Sequence, residues 1–357
     1  EIVLKAPALT IQTAKANTRV TLDGGNAMSV LVLHATTPPV LTLRRLTIQR
    51  GAGGRSPGSN TTEGGGIRTD VVLNAGAVPT TLTIEDVWFL SNAALRKPTD
   101  QGSSLGGALS SYGTLTLRRT KFVDSSAEIA AVFHVGHARI EDCEFTHNTG
   151  TRFASALSLW SDGIQTKQWI VERTLFSNNL GQAAAWLDDG GSAVVSNTSF
   201  LSNSSTNGEA LFSSSPLWVS NSTFYDSRAT VGGGGVLSTD AAQISVTSCL
   251  FAYNQVADLH QYSPSTSTVA FVASFNQFDT PAVDLPTNVL CGASTAGGTN
   301  LCGLADAGVL PVGFNGGPTL TLALAPWSPA RDAGVNPGNL PTDQRGSGFP
   351  RTVGGVT

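Results

Sequence analysis

The sequence predicts an all-β chain folded as a single right-handed parallel β-helix of about ten coils with a C-terminal cap. Three observations predict this fold. An alternating β pattern recurs at intervals of 23 to 33 residues, and each copy ends on a phenylalanine at the same position. The chain is also rich in turn-forming glycine, with 39 copies, while charged residues make up only 13% of it. A β pattern with this period is typical of a solenoid whose coils stack on one another.

The repeat is clearest from Leu82 to Phe89, which reads Leu-Thr-Ile-Glu-Asp-Val-Trp-Phe. Apolar and polar residues alternate on both sides of a polar pair, and alternation indicates a strand because successive side chains of a strand point to opposite faces. The polar pair shifts the phase of the alternation, so we expect a bend there between two short strands. The repeat predicts an inward column formed by Phe89, Phe122, Phe145, Phe176, Phe200, Phe224 and Phe251.

Small residues open the second half of each repeat, as in Gly106-Gly107-Ala108-Leu109. Small side chains let neighbouring coils approach closely, and we expect the apolar residue that follows to enter the core. In this alignment Leu157 and Trp186 are equivalent core positions. Residues 51–64 and 93–104 precede the same element, so we predict two loops that leave the solenoid on one side.

We place the coils in residues 1–280, and an irregular C-terminal coil and cap in residues 281–357, continuous with the same solenoid. Phe271, Phe275 and Phe278 predict one more coil before that boundary. The Pro-rich end is expected to cap the open core, because exposed terminal strands are templates for aggregation. The chain opens abruptly on a strand-like segment, so we expect that a leader has been removed and that both ends are truncated.

An asparagine follows most of these phenylalanines by three residues. Identical amides one coil apart, at a spacing of about 4.8 Å, can hydrogen-bond to one another as a ladder. We therefore expect a structural role for Asn92, Asn148, Asn179, Asn203 and Asn254.

The four cysteines divide into two pairs. Cys143 and Cys249 stand two residues before a phenylalanine, so we expect buried and unreactive thiols there. Cys291 and Cys302 lie in an irregular stretch near no histidine pair. A disulfide between them is the better interpretation than a metal site, and it suits an exported protein.

Charge and hydropathy exclude several partners. A net charge of −4 provides no basic field, so nucleic acid is not an expected partner. No apolar stretch reaches the roughly 18 residues that a membrane-spanning helix needs. We expect a monomer without a membrane-spanning segment. We predict no cofactor, with Ca²⁺ as the alternative.

Short motifs carry a resemblance to known proteins. The Gly-Gly-Ala-Leu motif at 106–109 and the Phe-x-x-Asn motifs at 89–92 and 145–148 resemble repeats of the chlamydial polymorphic outer-membrane proteins and related bacterial surface β-helices. Residues 315–324 and 343–346 resemble the tail of the choice-of-anchor Q surface proteins. These resemblances imply a pectate-lyase-like solenoid that is secreted or displayed on a bacterial cell surface.

Asp188 and Asp189 are the candidate catalytic residues. Two neighbouring carboxylates can act as general acid and general base if their pKa values are split. The same pair also fits a glycine-bounded turn, because Gly190 and Gly191 follow it. We assign catalysis to this pair only if the protein is an enzyme.

A second group of residues predicts a sugar-binding strip. Trp160 and Tyr112 stand three residues after aligned core positions, beside the carboxylates of Asp162 and Asp189. Aromatic faces stack on the apolar faces of sugars, although Trp160 could equally cover the edge of the core. His134 follows Phe133, which we assign to the core, so alternation places His134 outward, where it serves as a further ligand-binding candidate or as surface filling.

The sequence leaves three functions open. The leading one is non-catalytic adhesion or glycan binding, with a polysaccharide or a cell-surface glycan as partner, because the predicted outer strand lacks a dense acidic and basic cluster. The first alternative is a polysaccharide lyase or glycoside hydrolase that acts on a long polysaccharide along the solenoid. The second is a passive stalk or filament subunit. The fold alone does not decide among them.

Overall fold

The structure is a computed structural model of the chain. It describes residues 2–5, 8–15, 18–34, 39–55, 61–70, 80–96, 102–164, 166–188, 190–231, 235–240, 243–262, 270–274, 276–278, 300–303 and 306–353. These residues form strands, bends and turns, and no helix occurs among them. The prediction of an all-β parallel β-helix is therefore confirmed.

A sheet of 22 strands forms two sides of the solenoid, and the strand pairings within it are parallel. Its strands are Ile2–Leu4, Ala8–Gln12, Leu31–His34, Val40–Arg44, Ile67–Asp70, Thr80–Glu85, Ala93–Ala94, Leu109–Arg118, Ser126–Ala127, Val132–Glu141, Thr149–Gly150, Ala154–Trp160, Lys167–Glu172, Leu180–Leu187, Gly191–Ser196, Ser204–Ser213, Leu217–Ser220, Arg228–Ala229, Gly235–Thr239, Gln243–Thr247, Ala257–Gln261 and Ala270–Ser274.

A second parallel sheet of nine strands, which we name the phenylalanine sheet, forms the third side. Its strands are Val20–Asp23, Leu46–Gln49, Trp88–Leu90, Lys121–Val123, Glu144–Thr146, Leu175–Ser177, Ser199–Leu201, Thr223–Tyr225 and Leu250–Ala252. The strand segments that follow the small residues form what we name the small-residue face. It includes the segments that begin at Ile67, Leu109, Val132, Leu157, Ala185, Leu211, Leu237 and Leu259.

Residues in the left-handed backbone region turn the chain between these sides. In eight repeats, the residue three positions before the inward residue of the phenylalanine sheet has a φ between 47° and 55°. These eight residues are Arg45, Asp86, Arg119, Asp142, Arg173, Asn197, Asn221 and Ser248. Each belongs to the polar pair of its repeat, so the predicted bend is confirmed. A β-strand cannot continue through such a residue, because positive φ reverses the local path of the chain.

The phenylalanine column fills the interior. Neighbouring rings from Phe89 to Phe251 are stacked, with centroids 4.7 to 4.9 Å apart and planes within 11° of parallel. All seven predicted members are fully buried, and Phe278 continues the column. The predicted inward column is confirmed, and the coil to which Phe278 belongs was also expected.

The asparagine ladder is also confirmed. Asn148 Nδ2 donates to Asn179 Oδ1 at 3.0 Å, and Asn179 Nδ2 donates to Asn203 Oδ1 at the same distance. Each of these three amides also donates to the carbonyl of a phenylalanine in the preceding coil. The ladder therefore satisfies backbone groups inside the core, which would otherwise be buried without partners.

Both predicted loops leave the solenoid on the same side. Gly54–Arg55 pairs with Thr62–Glu63, which in turn pairs with Ser104–Leu105, so the two stretches form a small three-stranded sheet. Their tips, residues 56–60 and 97–101, lie outside the described residues.

The C-terminal segment, residues 306–353, lies along the side of the coils. Thr342 and Gln344 accept hydrogen bonds from Asn197 and Ser199, and Val335 donates to Ser248. The segment thus contacts the outer surface of the phenylalanine sheet. The predicted boundary at residue 280 lies outside the described residues.

Two thiols are buried as predicted. Cys143 and Cys249 are free and lie inside the coils, and burial raises the pKa of both to about 12. Cys302 is disulfide-bonded. Its predicted partner, Cys291, lies outside the described residues.

The stacked column gives a stability prediction. Phe200→Ala should lower the free energy of unfolding by about 3–5 kcal/mol, because it leaves a cavity between two stacked rings. Trp218→Ala is the control, since this ring is 40% exposed on a strand of the other sheet, and we expect a loss below about 1 kcal/mol. Denaturant melts measure both, and equal losses would contradict the assigned inward column.

Candidate functional site

Strand register decides which side chains face solvent on the small-residue face. Leu109, Val132, Leu157 and Ala185 pair in succession and point inward. The next position faces outward and holds Ser110, Phe133, Ser158, Trp186, Phe212, Ser238 and His260. A third position, two residues further on, also faces outward and holds Tyr112, Val135 and Trp160.

The predicted alignment of Leu157 with Trp186 was wrong by one residue. The pairing shifts between Ala154 and Leu157, where the strand carries one extra residue, and Leu157 therefore pairs with Ala185. A shift of one residue moves every later side chain to the opposite face. Trp186 consequently lies on the outer surface and Leu187 in the core.

Seven aromatic rings come together on this outer surface, and we name them the aromatic row. Trp186 stacks on Phe212 with centroids 3.8 Å apart, and Phe153 contacts both Trp160 and Trp186 edge-on at 5.5 and 5.1 Å. The row consists of Tyr112, Phe133, Trp160, Phe153, Trp186, Phe212 and Tyr262. Tyr112 and Phe212 lie four coils apart, about 19 Å at the usual strand spacing, and the ring of Tyr262 lies 6.0 Å from that of Phe212, so the row is about 25 Å long. The row includes the predicted ligand-binding residues Trp160 and Tyr112.

Neighbouring rings restrict the solvent exposure of the row. Phe212 points outward as alternation predicts, yet it is only 5% exposed because Trp186 covers it. Trp160 and Trp186 are half-buried, and Trp160 Nε1 donates to Ser158 Oγ at 2.8 Å. Rings held by neighbours lose little conformational freedom when they bind a ligand.

The predicted carboxylates are placed differently from one another. Asp188 lies in register with Trp160, since its amide donates to Leu159 O at 2.9 Å, and Trp186 Nε1 approaches its Oδ1 at 3.5 Å. Asp162 lies in the exposed loop after Trp160 and forms an ion pair of 2.8 Å with Lys167. Asp189 lies outside the described residues, so the acid–base pair with Asp188 stays a prediction.

The outward orientation predicted for His134 was wrong. Phe133 faces outward, so His134 points inward, and it is 1% exposed. Its Nδ1 lies 2.9 Å from Ser111 Oγ and its Nε2 lies 3.0 Å from the His137 carbonyl. Burial lowers the pKa of His134 to about 4, so the ring is neutral at neutral pH. A ligand on the outer face cannot reach it.

Sequence reasoning missed the carboxyl group at one end of the aromatic row. Glu209 is 3% exposed, and the hydroxyl of Tyr262 donates to its Oε1. Burial raises the pKa of Glu209 to about 7, against the opposing effect of hydrogen bonds from Tyr262 and Asn207. Burial also raises the pKa of Tyr262, and the Glu209 carboxylate adds to that effect. The sequence did contain a signal for this residue, because Glu209 stands at a position that is glycine or alanine in the neighbouring coils.

His260 completes this end of the row. Its ring lies 4.7 Å from that of Tyr262, nearly perpendicular to it, and burial lowers the pKa of His260. The carboxyl group of Glu209 and the imidazole of His260 can both exchange protons. They lie beside the phenol of Tyr262, at one end of the aromatic row. Proton transfer near neutral pH is within the chemistry of this set.

In the described ranges, no three His, Cys, Asp or Glu side chains come together as ligands for a metal ion. The same ranges contain no helix that is long and apolar enough to cross a membrane.

Comparison of the chain with protein families, with curated proteins and with solved structures found no match. The fold and the site thus define a parallel β-helix with an aromatic outer face.

The raised pKa of Glu209 predicts a pH dependence of stability. The folded protein binds a proton at Glu209 up to about pH 7, whereas the unfolded chain loses it near pH 4.5. Stability should therefore fall as pH rises through this window, by about 3 kcal/mol at most. Glu209→Gln keeps an acceptor for Tyr262 and removes the titration.

The measurement is the free energy of unfolding of both proteins across that pH window. The wild-type protein should lose more stability than the Glu209→Gln variant as pH rises. The histidines contribute equally to both proteins, so the difference isolates Glu209. Parallel curves for the two proteins would contradict the burial of this carboxyl group.

Proposed function

We propose that this protein is a non-catalytic glycan-binding β-helix, secreted or displayed on a bacterial surface, that holds an extended polysaccharide along the aromatic row. The single observation that supports this proposal most is the continuity of the row, from Tyr112 to Tyr262 over about 25 Å. A row of that length matches the shape of a polysaccharide better than that of a small metabolite.

The chemistry of the face supports a saccharide ligand. Flat aromatic rings stack on the apolar faces of sugars. Asp188 adds one acceptor close to Trp186. The likeness of the Phe-x-x-Asn repeats to those of bacterial surface proteins supports the location, and the protein acts as a monomer in this proposal.

Removal of a central ring tests the proposal. We expect Trp186→Ala to weaken binding of a polysaccharide identified on a glycan array by at least about tenfold, because truncation of a central aromatic contact residue typically costs about 2 kcal/mol or more of binding free energy. Titration calorimetry measures the affinity, and thermal melts confirm that the variant is folded.

Trp218→Ala is the matched control, since it removes an exposed indole from another side of the solenoid. It should leave the affinity unchanged. Equal affinity of the Trp186 variant and the wild-type protein would reject the aromatic row as the binding surface. Failure to bind any glycan would favour the stalk or filament alternative.

The Glu209 cluster favours a second candidate function, a polysaccharide lyase or glycoside hydrolase. A carboxyl group with a pKa of about 7 can both accept and donate a proton at neutral pH, and Tyr262 lies in hydrogen-bond contact with it. In this alternative a polysaccharide seated on the aromatic row would meet Glu209 at one end. Asp188 and Asp189 stay the other candidate pair.

Release of reducing ends from polysaccharides distinguishes the two functions. The enzyme alternative predicts release by the wild-type protein and a loss of at least about 100-fold in Glu209→Gln, in the range of general acid–base contributions. Asp188→Asn tests the other pair in the same assay. The binding proposal predicts no release by any of these proteins.

A further inference from the structure

A cleft lies between the C-terminal segment and the outer surface of the phenylalanine sheet. It encloses about 480 Å³, within the usual range for small-molecule sites. One wall is the outward column Ser199, Thr223, Leu250 and Gln277, which pair in succession. The opposite wall includes Arg345 and Arg351 of the C-terminal segment. The cleft is on a different side of the solenoid from the aromatic row.

Several buried polar atoms that line this cleft have no hydrogen-bond partner among the described residues. Gln277 is 2% exposed, and both its Nε2 and its Oε1 are unpartnered. Asn221 is 7% exposed, and its Nδ2 is unpartnered, as is the Nε of Arg351. A buried polar group without a hydrogen-bond partner destabilises a folded protein. Four such atoms, on three residues that line one cleft, therefore indicate a site for a polar ligand.

The charges in the cleft indicate the sign of that ligand. Asp343 is already paired with Arg345, whose Nε and Nη2 donate to it at 3.0 and 2.6 Å. Arg351 forms no ion pair with any carboxylate in the described part of the chain, and its Nη2 donates to Asn221 Oδ1 at 2.8 Å. The lining of the cleft thus carries three guanidinium groups, those of Arg331, Arg345 and Arg351, against the two carboxylates of Asp332 and Asp343, an excess of one positive charge.

Most of the unpartnered atoms are hydrogen-bond donors. Three are donors, on Gln277, Asn221 and Arg351, and one is an acceptor, on Gln277. An excess of donors beside a guanidinium suits a carboxylate, which only accepts hydrogen bonds. The amide of Gln277 can donate and accept at once, which suits a hydroxyl group.

Two of the residues with unpartnered atoms, Asn221 and Gln277, are separated by two coils. Asn221 belongs to the coil of Phe224 and Gln277 to the coil of Phe278, and the ring spacings between those coils are 4.7 and 5.1 Å. The two amides therefore stand about 10 Å apart along the solenoid axis. A ligand that contacts both is longer than a single sugar ring.

We propose that this cleft binds an acidic disaccharide, with a carboxylate at Asn221 and Arg351 and hydroxyl groups at Gln277. This site is independent of the aromatic row and does not rest on the proposed function. The carboxylate satisfies Arg351 Nε and Asn221 Nδ2, and the hydroxyl groups satisfy both amide atoms of Gln277.

Calorimetry with three probes tests the ligand class: digalacturonate, its methyl ester and the dipeptide Gly-Asp. We expect digalacturonate to bind at least tenfold more tightly than the other two, because the ester lacks the charge and the dipeptide lacks the hydroxyl groups. Equal binding of the ester would overturn the role of Arg351. Binding of the dipeptide alone, or of no probe, would overturn the saccharide assignment.

Two variants test the residues. Gln277→Leu is similar in size and removes the unpartnered amide, so it should weaken digalacturonate binding at least tenfold while the thermal midpoint of the unliganded protein stays the same or rises. Arg351→Gln should weaken binding more, and its thermal midpoint reports any loosening of the C-terminal segment. Unchanged affinity in Gln277→Leu would overturn the proposal.

A third variant separates this site from the proposed function. Trp186→Ala should bind digalacturonate like the wild-type protein, because the aromatic row lies on another side of the solenoid. A loss of digalacturonate binding in this variant would place the disaccharide on the aromatic row and overturn the assignment to the cleft. If polysaccharide binding fails everywhere while digalacturonate still binds in a Gln277-dependent manner, the proposed function fails and this inference stands.

Discussion

Parallel hydrogen bonding between successive coils is the interaction on which the rest of this structure depends. It fixes the rise from one coil to the next at about 4.8 Å, and this distance suits both the stacking of aromatic rings and the hydrogen bonding of amides. The rings of Phe176 and Phe200 lie 4.8 Å apart, and the amides of Asn179 and Asn203 lie 3.0 Å apart. A residue type that fits this rise in one coil therefore fits it in every coil, which is why the interior repeats.

The same rise acts on the outer surface, but there the side chains do not have to repeat. Register stacks Trp186 on Phe212 of the next coil, and Phe153 contacts both Trp160 and Trp186. Their mutual contacts then bury groups that an isolated strand would leave in water. Glu209 is buried in this way beside Tyr262, and the burial changes its protonation near neutral pH. The chemistry of this face thus comes from departures from the repeat.

The C-terminal segment adds a second kind of surface. It has little regular structure of its own and is held to the coils by side chains at the bends, such as Asn197 and Asn221. These residues are required at the bends for their backbone conformation, since asparagine tolerates positive φ better than most residues. Their amides are then free to contact the C-terminal segment or the cleft beside it. One residue type serves both the turn and the docking of the segment.

The sequence by itself determined the fold, the inward phenylalanines, the asparagine ladder and the bends, because each depends on a local pattern that recurs with every coil. It also identified Trp160 and Tyr112 as members of one outer strip. It misplaced Trp186, because one extra residue between Ala154 and Leu157 reverses the faces and leaves no mark on the pattern. It misplaced His134 because Val132 and Phe133 are both apolar, so alternation alone did not show which of them enters the core. Only the tertiary structure decided that Glu209 meets Tyr262 and that Arg351 meets Asn221. Those contacts join residues 53 and 130 positions apart, and no periodicity of the sequence encodes them.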